Sequence, residues 1–523
     1  MAKRIIDNFV GGSRQSDINL LSLSYTLNMY AEAQGQDSPA QTVLRSILGH
    51  ETFVSLPGVP RGSFAVSKGY KSDPRMFAVF GAVLYAIDLT DGQTVVTEVG
   101  RVLDGTRRVT MCETIGEMGN SPYLVIADGF AVHAVPTDVH RQELAAGYRG
   151  IRLPVDLTGR SIRPTHVTYE FGYLTVNDAD SDNFYVSYQY PFESVDDEGM
   201  TVFDVFTYDP LEKVERPEGW VIAADWCSDV ITAMCSTNSR LYTFGPRSIQ
   251  YFNSTNDATM PFNSPDTSSL NIGIQAPYSL ATIGQDLFFL GSSTIGQNGI
   301  YRMSGGTPER ISNSDIERAI AGFANKSDAI GFCWSENSHV FYAITFQQDE
   351  RTFVYDLATG QWHNRSTHDT KRNAEKAWRY SCPVMFDGRL IFQTEGALTY
   401  EKEGKFTEHD SNTCVRMRRG GCTIDSYTPF VVDNVIFNLS NGYVDYDRPR
   451  VNPKVMFRYS ADGTTFGNER IGYMGCAGQY SYVTQFPRLG IGRFFAFELS
   501  CSEDCDFIIL PPVIHGTAIA RGF

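Results

Sequence analysis

Seven short runs rich in Val, Ile, Leu, Tyr and Phe begin at Val83, Pro122, Phe171, Arg240, Asp286, His339 and Arg389. Most of these starts lie about 40–50 residues apart, the length of one four-stranded propeller blade. Between the runs stand Asp91-Gly92, Asp128-Gly129, Asn298-Gly299 and Asp387-Gly388, and further on Asn441-Gly442 and Asp462-Gly463. Such dipeptides supply the positive φ that tight hairpin turns require. The clearest unit is Phe341–Thr345, a turn, Thr352–Asp356, then Thr359-Gly360-Gln361-Trp362. A strand ending in Tyr-Asp, a Thr-Gly turn and a Trp opening the next strand is a kelch-like pattern, and the Trp is expected to wedge between blades. The fold expected is all-β: a β-propeller of six or seven blades over residues 61–410, in which ring closure removes most sheet edges.

The rest of the chain divides around that ring. Residues 411–523 alternate strongly, as in Val431–Leu439, Arg493–Leu499 and Phe507–Leu510, and predict an antiparallel β-sandwich. Residues 1–60 are polar and predict an extended N-terminal arm, with Leu56-Pro57-Gly58-Val59-Pro60 turning into the propeller. Two helices are expected. Ser314-Asp315-Ile316-Glu317 reads as a capping box followed by an apolar face of Ile316, Ala319, Ile320 and Phe323. A second lies around 138–146. The acidic stretch Ser194–Gly199, with Asp209-Pro210-Leu211-Glu212, predicts an inserted loop before Arg240.

Charge separates the two halves. Residues 1–410 hold 33 basic and 50 acidic side chains, a net of −17, and residues 411–523 hold 11 and 10, a net of +1. Gripping a phosphate backbone needs clustered cations, so a general nucleic-acid binder is not expected; an acidic wall would let a polyanion slide. A chain with 13% aromatic and only 20% charged residues is not disordered. No apolar run approaches the ~20 residues of a membrane helix, and no apolar stretch follows the charged N-terminus, so synthesis and folding in a cytoplasm are expected.

Catalytic and metal constellations are not expected. HExxH, Walker A, GxSxG and GxGxxG motifs are all missing. Cys501 and Cys505 are spaced CxxxC, without a second pair to complete a zinc site. Asp178, Asp180 and Asp182 resemble the start of a calcium loop, but Asn183 and Gln189 stand where Gly and Glu are needed, and a hairpin turn explains the run. His363 and His368 have no recognised metal spacing. Ser460-Ala461-Asp462-Gly463-Thr464-Thr465-Phe466 is like the Asp-box hairpin of sialidases, a structural turn. The tight basic group Arg416, Arg418 and Arg419, joined by Arg448, Arg450, Lys454 and Arg458, is the candidate docking patch for an acidic partner. Reversing its three charges is expected to weaken docking while leaving the fold intact. Deleting residues 1–30 is expected to leave the propeller folded and impair assembly.

The ordered set of pieces resembles the tail hub, or tail nozzle (packaged-DNA stabilisation), family of short-tailed bacteriophages. Leu27-Asn28-Met29-Tyr30 and Leu56-Pro57-Gly58-Val59 are similar to its opening. Phe244-Gly245-Pro246-Arg247-Ser248-Ile249-Gln250-Tyr251-Phe252 is similar to a blade segment, and so are Gly299-Ile300-Tyr301-Arg302-Met303 with the capped helix, and Tyr355-Asp356 with Gln361-Trp362. Ser460-Ala461-Asp462-Gly463 with Phe466-Gly467-Asn468-Glu469 resembles the closing sandwich. The positions carrying the resemblance are Asn28, Pro57, Gly58, Gly245, Ser248, Tyr251, Phe252, Asp462, Gly463 and Phe466, all in structural roles. The chain is longer than the family before Arg240 and near His363–Trp378. The resemblance implies a structural virion protein without cofactor or catalytic site. It implies a six-fold ring of this chain below the head-to-tail adaptor, continuing the DNA channel and helping to retain packaged DNA. Tail fibres or tailspikes, and a tail needle or plug, would be its other partners. Competing readings are a carbohydrate-active propeller enzyme, which needs convergent carboxylates on one face, and a glycan-binding module using Trp220, Trp226 and Trp378.

Overall fold

The computed structural model describes the chain apart from residues 1, 16–22, 36, 39, 104, 117–120, 157, 193–202, 210–213, 228, 256, 258–259, 266–267, 294–297, 424–428, 444–450 and 520–523. The acidic stretch Ser194–Gly199 therefore lies outside the described residues.

Strand alternation builds seven antiparallel blades among the described residues. Their innermost strands are Pro60–Ala65, Thr110–Glu113, Val167–Glu170, Ala233–Thr237, Ala281–Ile283, Ile330–Glu336 and Ser381–Phe386. Neighbouring blades bury their facing sides together, giving seven inter-blade cores. Trp362 fills one of them, beside Phe288 and Ile300 of the fifth blade and Tyr342 and Ile344 of its own. Its indole N–H donates to the Ile311 carbonyl at 2.9 Å, which satisfies the single polar atom of a buried Trp.

The ring closes through the N-terminal segment. Gly49–Ser55 pairs antiparallel with Ala397–Lys402 and forms the outer strand of the seventh blade. The chain then crosses directly into the first blade. Leu56 N–H donates to Gly396 O at 3.0 Å and Gly396 N–H to Gly58 O at 3.2 Å. Gly58 takes φ +117°, where a Cβ would also sit 3.0 Å from Gly81 N, so glycine is required at this crossing.

The extended N-terminal segment lies across the chain's own fold. Ala2–Ile5 pairs with Val513–Ala518, and Leu23–Leu27 with Arg416–Thr423. Met29–Ala33 and Thr42–Ser46 form a hairpin. Leu27, Met29, Ala31 and Leu44 are buried, and burying those side chains against the sandwich is what draws the segment in. The sandwich sets Ala2–Ile5, Val513–Ala518, Phe430–Phe437 and Thr484–Gly492 against a second sheet. That sheet holds Leu23–Leu27, Arg416–Thr423, Phe494–Cys501, Lys454–Ser460 and Arg470–Tyr473. Leu27 also bridges in parallel to Asn364 on the outer strand of the sixth blade, so one sheet runs from propeller to sandwich.

Helices occupy Arg141–Gly147 and Ser314–Ala321. The second is capped one residue earlier than its sequence suggests. Asn313 accepts from Asp315 N–H and Ile316 N–H at 3.1 and 2.9 Å, and Glu317 instead accepts from the Ser312 hydroxyl. Asn fills the capping position as well as Ser. No helix among the described residues is long and apolar enough to cross a membrane.

Asn28 holds the joint between the two halves. It takes φ +52°, a conformation Asn tolerates better than most residues. Its side-chain N–H groups donate to Ser366 O and Val415 O at 3.0 and 2.8 Å, and its Oδ1 accepts from Ser366 N–H at 2.9 Å. Each buried partner left unsatisfied costs about 1–3 kcal/mol. Asn28→Ala should therefore lower unfolding free energy by about 3 kcal/mol in urea denaturation. Asn28→Gly, free of the left-handed strain, should recover about 1 kcal/mol of that loss.

Candidate functional site

The candidate docking patch lies on Arg416–Thr423, a strand flanked by Leu23–Leu27 and Phe494–Cys501. Alternation sends Arg416 and Arg418 to one face and Arg419 to the other. Arg416 and Arg418 are 0% and 1% exposed, which removes them from any surface patch. Arg418 donates to the carbonyls of Phe9, Gly11 and Gly12 and to the Thr26 hydroxyl, and its guanidinium lies over the Phe9 ring at 5.6 Å. Burial among neutral acceptors pushes its pKa down to about 9. Arg416 donates to Glu503 O and Cys505 O, between the Phe406 and Phe507 rings. Both are cationic staples that tie the N-terminal segment and the 503–505 turn to the sandwich.

Arg419 alone of the three reaches the surface, and it is already paired. Arg419 and Arg458 grip the two oxygens of Glu498, at 2.8 Å from Arg419 Nε and 2.6 Å from Arg458 Nε. Both guanidiniums pack over Phe466, at 5.1 and 5.6 Å. Arg448 and Arg450 lie outside the described residues, and Lys454 is exposed at the start of its strand. Beside this trio opens a cleft of about 730 Å³ between the sixth blade and the sandwich. Tyr25, Arg351, Glu375, Arg458, Glu469 and Glu498 line it. In place of a basic patch, Arg458 and Glu498 border a cleft of mixed charge.

The other positions singled out in the sequence serve turns and inter-blade contacts, spread over the molecule. Asp229 caps the turn at Gly245–Ser248, accepting from Arg247 N–H at 2.8 Å and the Ser248 hydroxyl at 3.1 Å. A Cβ on Gly245 would lie 2.7 Å from Asp229 Cβ, so only glycine fits. Phe252 packs edge-on to Phe184 of the preceding blade at 5.0 Å, and Tyr251 lies under Arg240 at 4.6 Å. Pro57 sits at the ring crossing, beside Gly58. Asp462 accepts from Ser460 Oγ and from Thr464 and Thr465 N–H. Those bonds hold its carboxyl well below the usual range, while Gly463 takes φ +80°. Asp178 and Asp180 are engaged by Arg160, and Asp180 also by Arg163. His363 is buried against Phe341, and burial lowers its pKa. Trp378 is a core residue, Trp220 lies beneath Arg216, and Trp226 is exposed, so the three do not form one aromatic platform.

Sequence reading missed a buried titratable cluster behind the last blade. Glu408 accepts from the Tyr380 hydroxyl, and Tyr380 stacks on His50 at 3.5 Å. Burial pushes the Glu408 carboxyl up to about 7, against the Tyr380 hydrogen bond and the Arg379 charge, which pull it down. The polar stretch Thr407–Thr413 around it reads in sequence as a domain boundary; only the fold shows that Glu408 is covered.

Arg418→Ala should cost about 3 kcal/mol in urea denaturation, because it strips several buried acceptors at once. Charge reversal at Arg416 or Arg418 should abolish folding, rather than leave the fold intact. Glu408 sets a pH dependence of opposite sign to a salt-bridged carboxylate. Its folded pKa lies above its ordinary value of 4.5, so the native state binds the extra proton between the two values. Stability should fall as pH rises from about 4.5 to 7, by up to about 3 kcal/mol, and level off above. Glu408→Gln should show a correspondingly shallower loss across that window in thermal unfolding.

Residues 210–400 match the family described as bacteriophage P22 Gp10, beta-propeller. That span runs from before the fourth blade into the last. No curated protein matches. The extracellular domain of a hybrid two-component system from B. thetaiotaomicron is similar at 9% identity and a TM-score of 0.36, over 75% of this chain and 42% of that one. A chain of the Chaetomium thermophilum polycomb repressive complex 2 is similar at 12% identity and a TM-score of 0.33, over 60% and 71%. The chain thus spans less than half the length of the first of these relatives. The family match supports a structural tail protein of a phage, built on a β-propeller.

Proposed function

We propose that this chain is the tail hub, or nozzle, of a short-tailed phage, acting as a structural part of the virion and not as an enzyme. The match of residues 210–400 to the P22 Gp10 β-propeller family carries the reading. In it, copies of the chain form a six-fold ring below the head-to-tail adaptor and continue the DNA channel. The ring helps to retain packaged DNA and gives tail fibres or tailspikes, and a needle or plug, a place to attach.

Physical features support it. A seven-bladed ring closed by its own N-terminal strand is a stiff wall element. The net charge of residues 1–410 is strongly negative, and an acidic wall repels phosphate, so DNA would pass without being gripped. The Leu27–Asn364 bridge and the Asn28 hydrogen bonds to Ser366 and Val415 join the sandwich to the sixth blade, so force on one half reaches the other.

Purified phage particles carrying this chain provide the test. Quantitative mass spectrometry should find about half as many copies of it as of a twelve-fold portal, the ratio that a closed six-fold ring gives. Absence from the particle would overturn the tail reading.

A further inference from the structure

The strand Phe494–Cys501 ends on a cysteine. The chain then turns through Ser502-Glu503-Asp504, with Cys505 N–H donating to Glu503 O at 2.9 Å. That turn brings the two sulfurs to 4.0 Å. Both cysteines are buried, at 0% and 4% exposed, and neither is bonded. A guanidinium nitrogen of Arg416 lies 3.7 Å from Cys501 Sγ. Cys505 lines an open cleft of about 900 Å³, walled by Glu32 and Arg45 of the N-terminal hairpin, Lys402 and Gly404 of the last blade, and Asp504 and Asp506. Cys505 is thus part of the cleft wall, with Cys501 fully buried 4.0 Å behind it, so a peroxide in the cleft reaches Cys501 when the short turn at 502–504 opens locally.

We propose that Cys501 and Cys505 are a redox-active dithiol that closes to a disulfide when a peroxide enters this cleft. The site does not depend on the tail reading. Cys501 is the attacking sulfur. Its thiol is lowered to about 7 by the hydrogen bond from Cys505 and the charge of Arg416, against burial. Cys505 is raised by that same bond and by burial, so it holds the proton. The Cys501 thiolate attacks one peroxide oxygen; the O–O bond breaks and hydroxide leaves, taking up the proton that Cys501 had lost. The product is a sulfenic acid. Cys505 then attacks that sulfur, the S–O bond breaks, and the oxygen leaves as water with the Cys505 proton. Overall, two thiols and one peroxide give one disulfide and two waters. Closure draws the sulfurs in by about 2 Å and stiffens the turn whose carbonyls, Glu503 O and Cys505 O, hold Arg416. The switch thus acts on the staple between the sandwich and its neighbours.

Full-length protein is treated with hydrogen peroxide, quenched, unfolded in urea with iodoacetamide and digested. The peptide carrying both cysteines should be two hydrogens lighter and unalkylated, and should take two alkyl groups after reduction. Cys501→Ser should abolish that species. Cys505→Ser should leave a Cys501 sulfenic acid that dimedone traps. Two alkylated sulfurs in the peroxide-treated wild type, or oxygen added without a link between them, would overturn the proposal. A wild-type disulfide combined with no dimedone adduct in folded Cys505→Ser would overturn Cys501 as the attacking sulfur.

Discussion

The whole arrangement rests on ring closure by a strand that comes from the wrong end of the chain. The seventh blade has three strands of its own, and Gly49–Ser55 supplies the fourth. Without it the last blade would present an open edge and the ring would have no lock between its first and last blades. A strand held this way must be delivered accurately, and the residues before it do that. They run from the sandwich edge at Ala2–Ile5, through the bridging strand Leu23–Leu27, to the hairpin Met29–Ala33 and Thr42–Ser46. The propeller is therefore closed by a segment that is itself anchored in the sandwich.

Anchoring is achieved with cations in the interior. Arg416, Arg418 and Arg365 are among the largest fully buried side chains. Arg365 lies over Trp334 and Trp378 at 4.8 and 4.7 Å, with Glu336 3.7 Å away. A buried guanidinium is costly unless its donors are met, and the aromatic faces here offset part of that cost. Main-chain carbonyls of loops serve as acceptors for Arg416 and Arg418. Loop backbone that would otherwise need water is thereby fixed by a single side chain, which explains how Gly11-Gly12 and the 503–505 turn pack without regular structure.

Much of the propeller was legible in the sequence. Each of the seven apolar runs falls in a different blade, and the Trp362 wedge follows from its place after a Thr-Gly turn. The extended N-terminal segment was legible but its strand pairings were not, because the polar stretch 31–40 masks the alternation of Leu23, Leu27, Met29, Ala31 and Leu44. The basic patch failed for a related reason. Three arginines within four residues look like a surface in one dimension, yet strand alternation splits them and places two inside. The cap at Asn313 was misplaced by one residue because Ser314 offers the same chemistry. Gly58, Gly245 and Asp462 were found as motif positions, but their geometric reasons, a backbone crossing, a carboxylate-capped turn and a hairpin, needed the fold.

A propeller locked by an anchored strand has few soft directions. Sliding one blade past another would have to break an inter-blade core, and opening the ring would have to pull Gly49–Ser55 from Ala397–Lys402 against Asn28 and Arg418, which hold the chain before it. The mixed-charge cleft between the sixth blade and the sandwich is lined by Tyr25 and Leu27, on the strand that leads towards this lock. A partner seated there would press on Tyr25 and Glu375, which are joined by a hydrogen bond of 3.0 Å, and thus on the strand Leu23–Leu27 itself. The place where the two halves meet is accordingly where an outside contact would be felt by the closure of the ring.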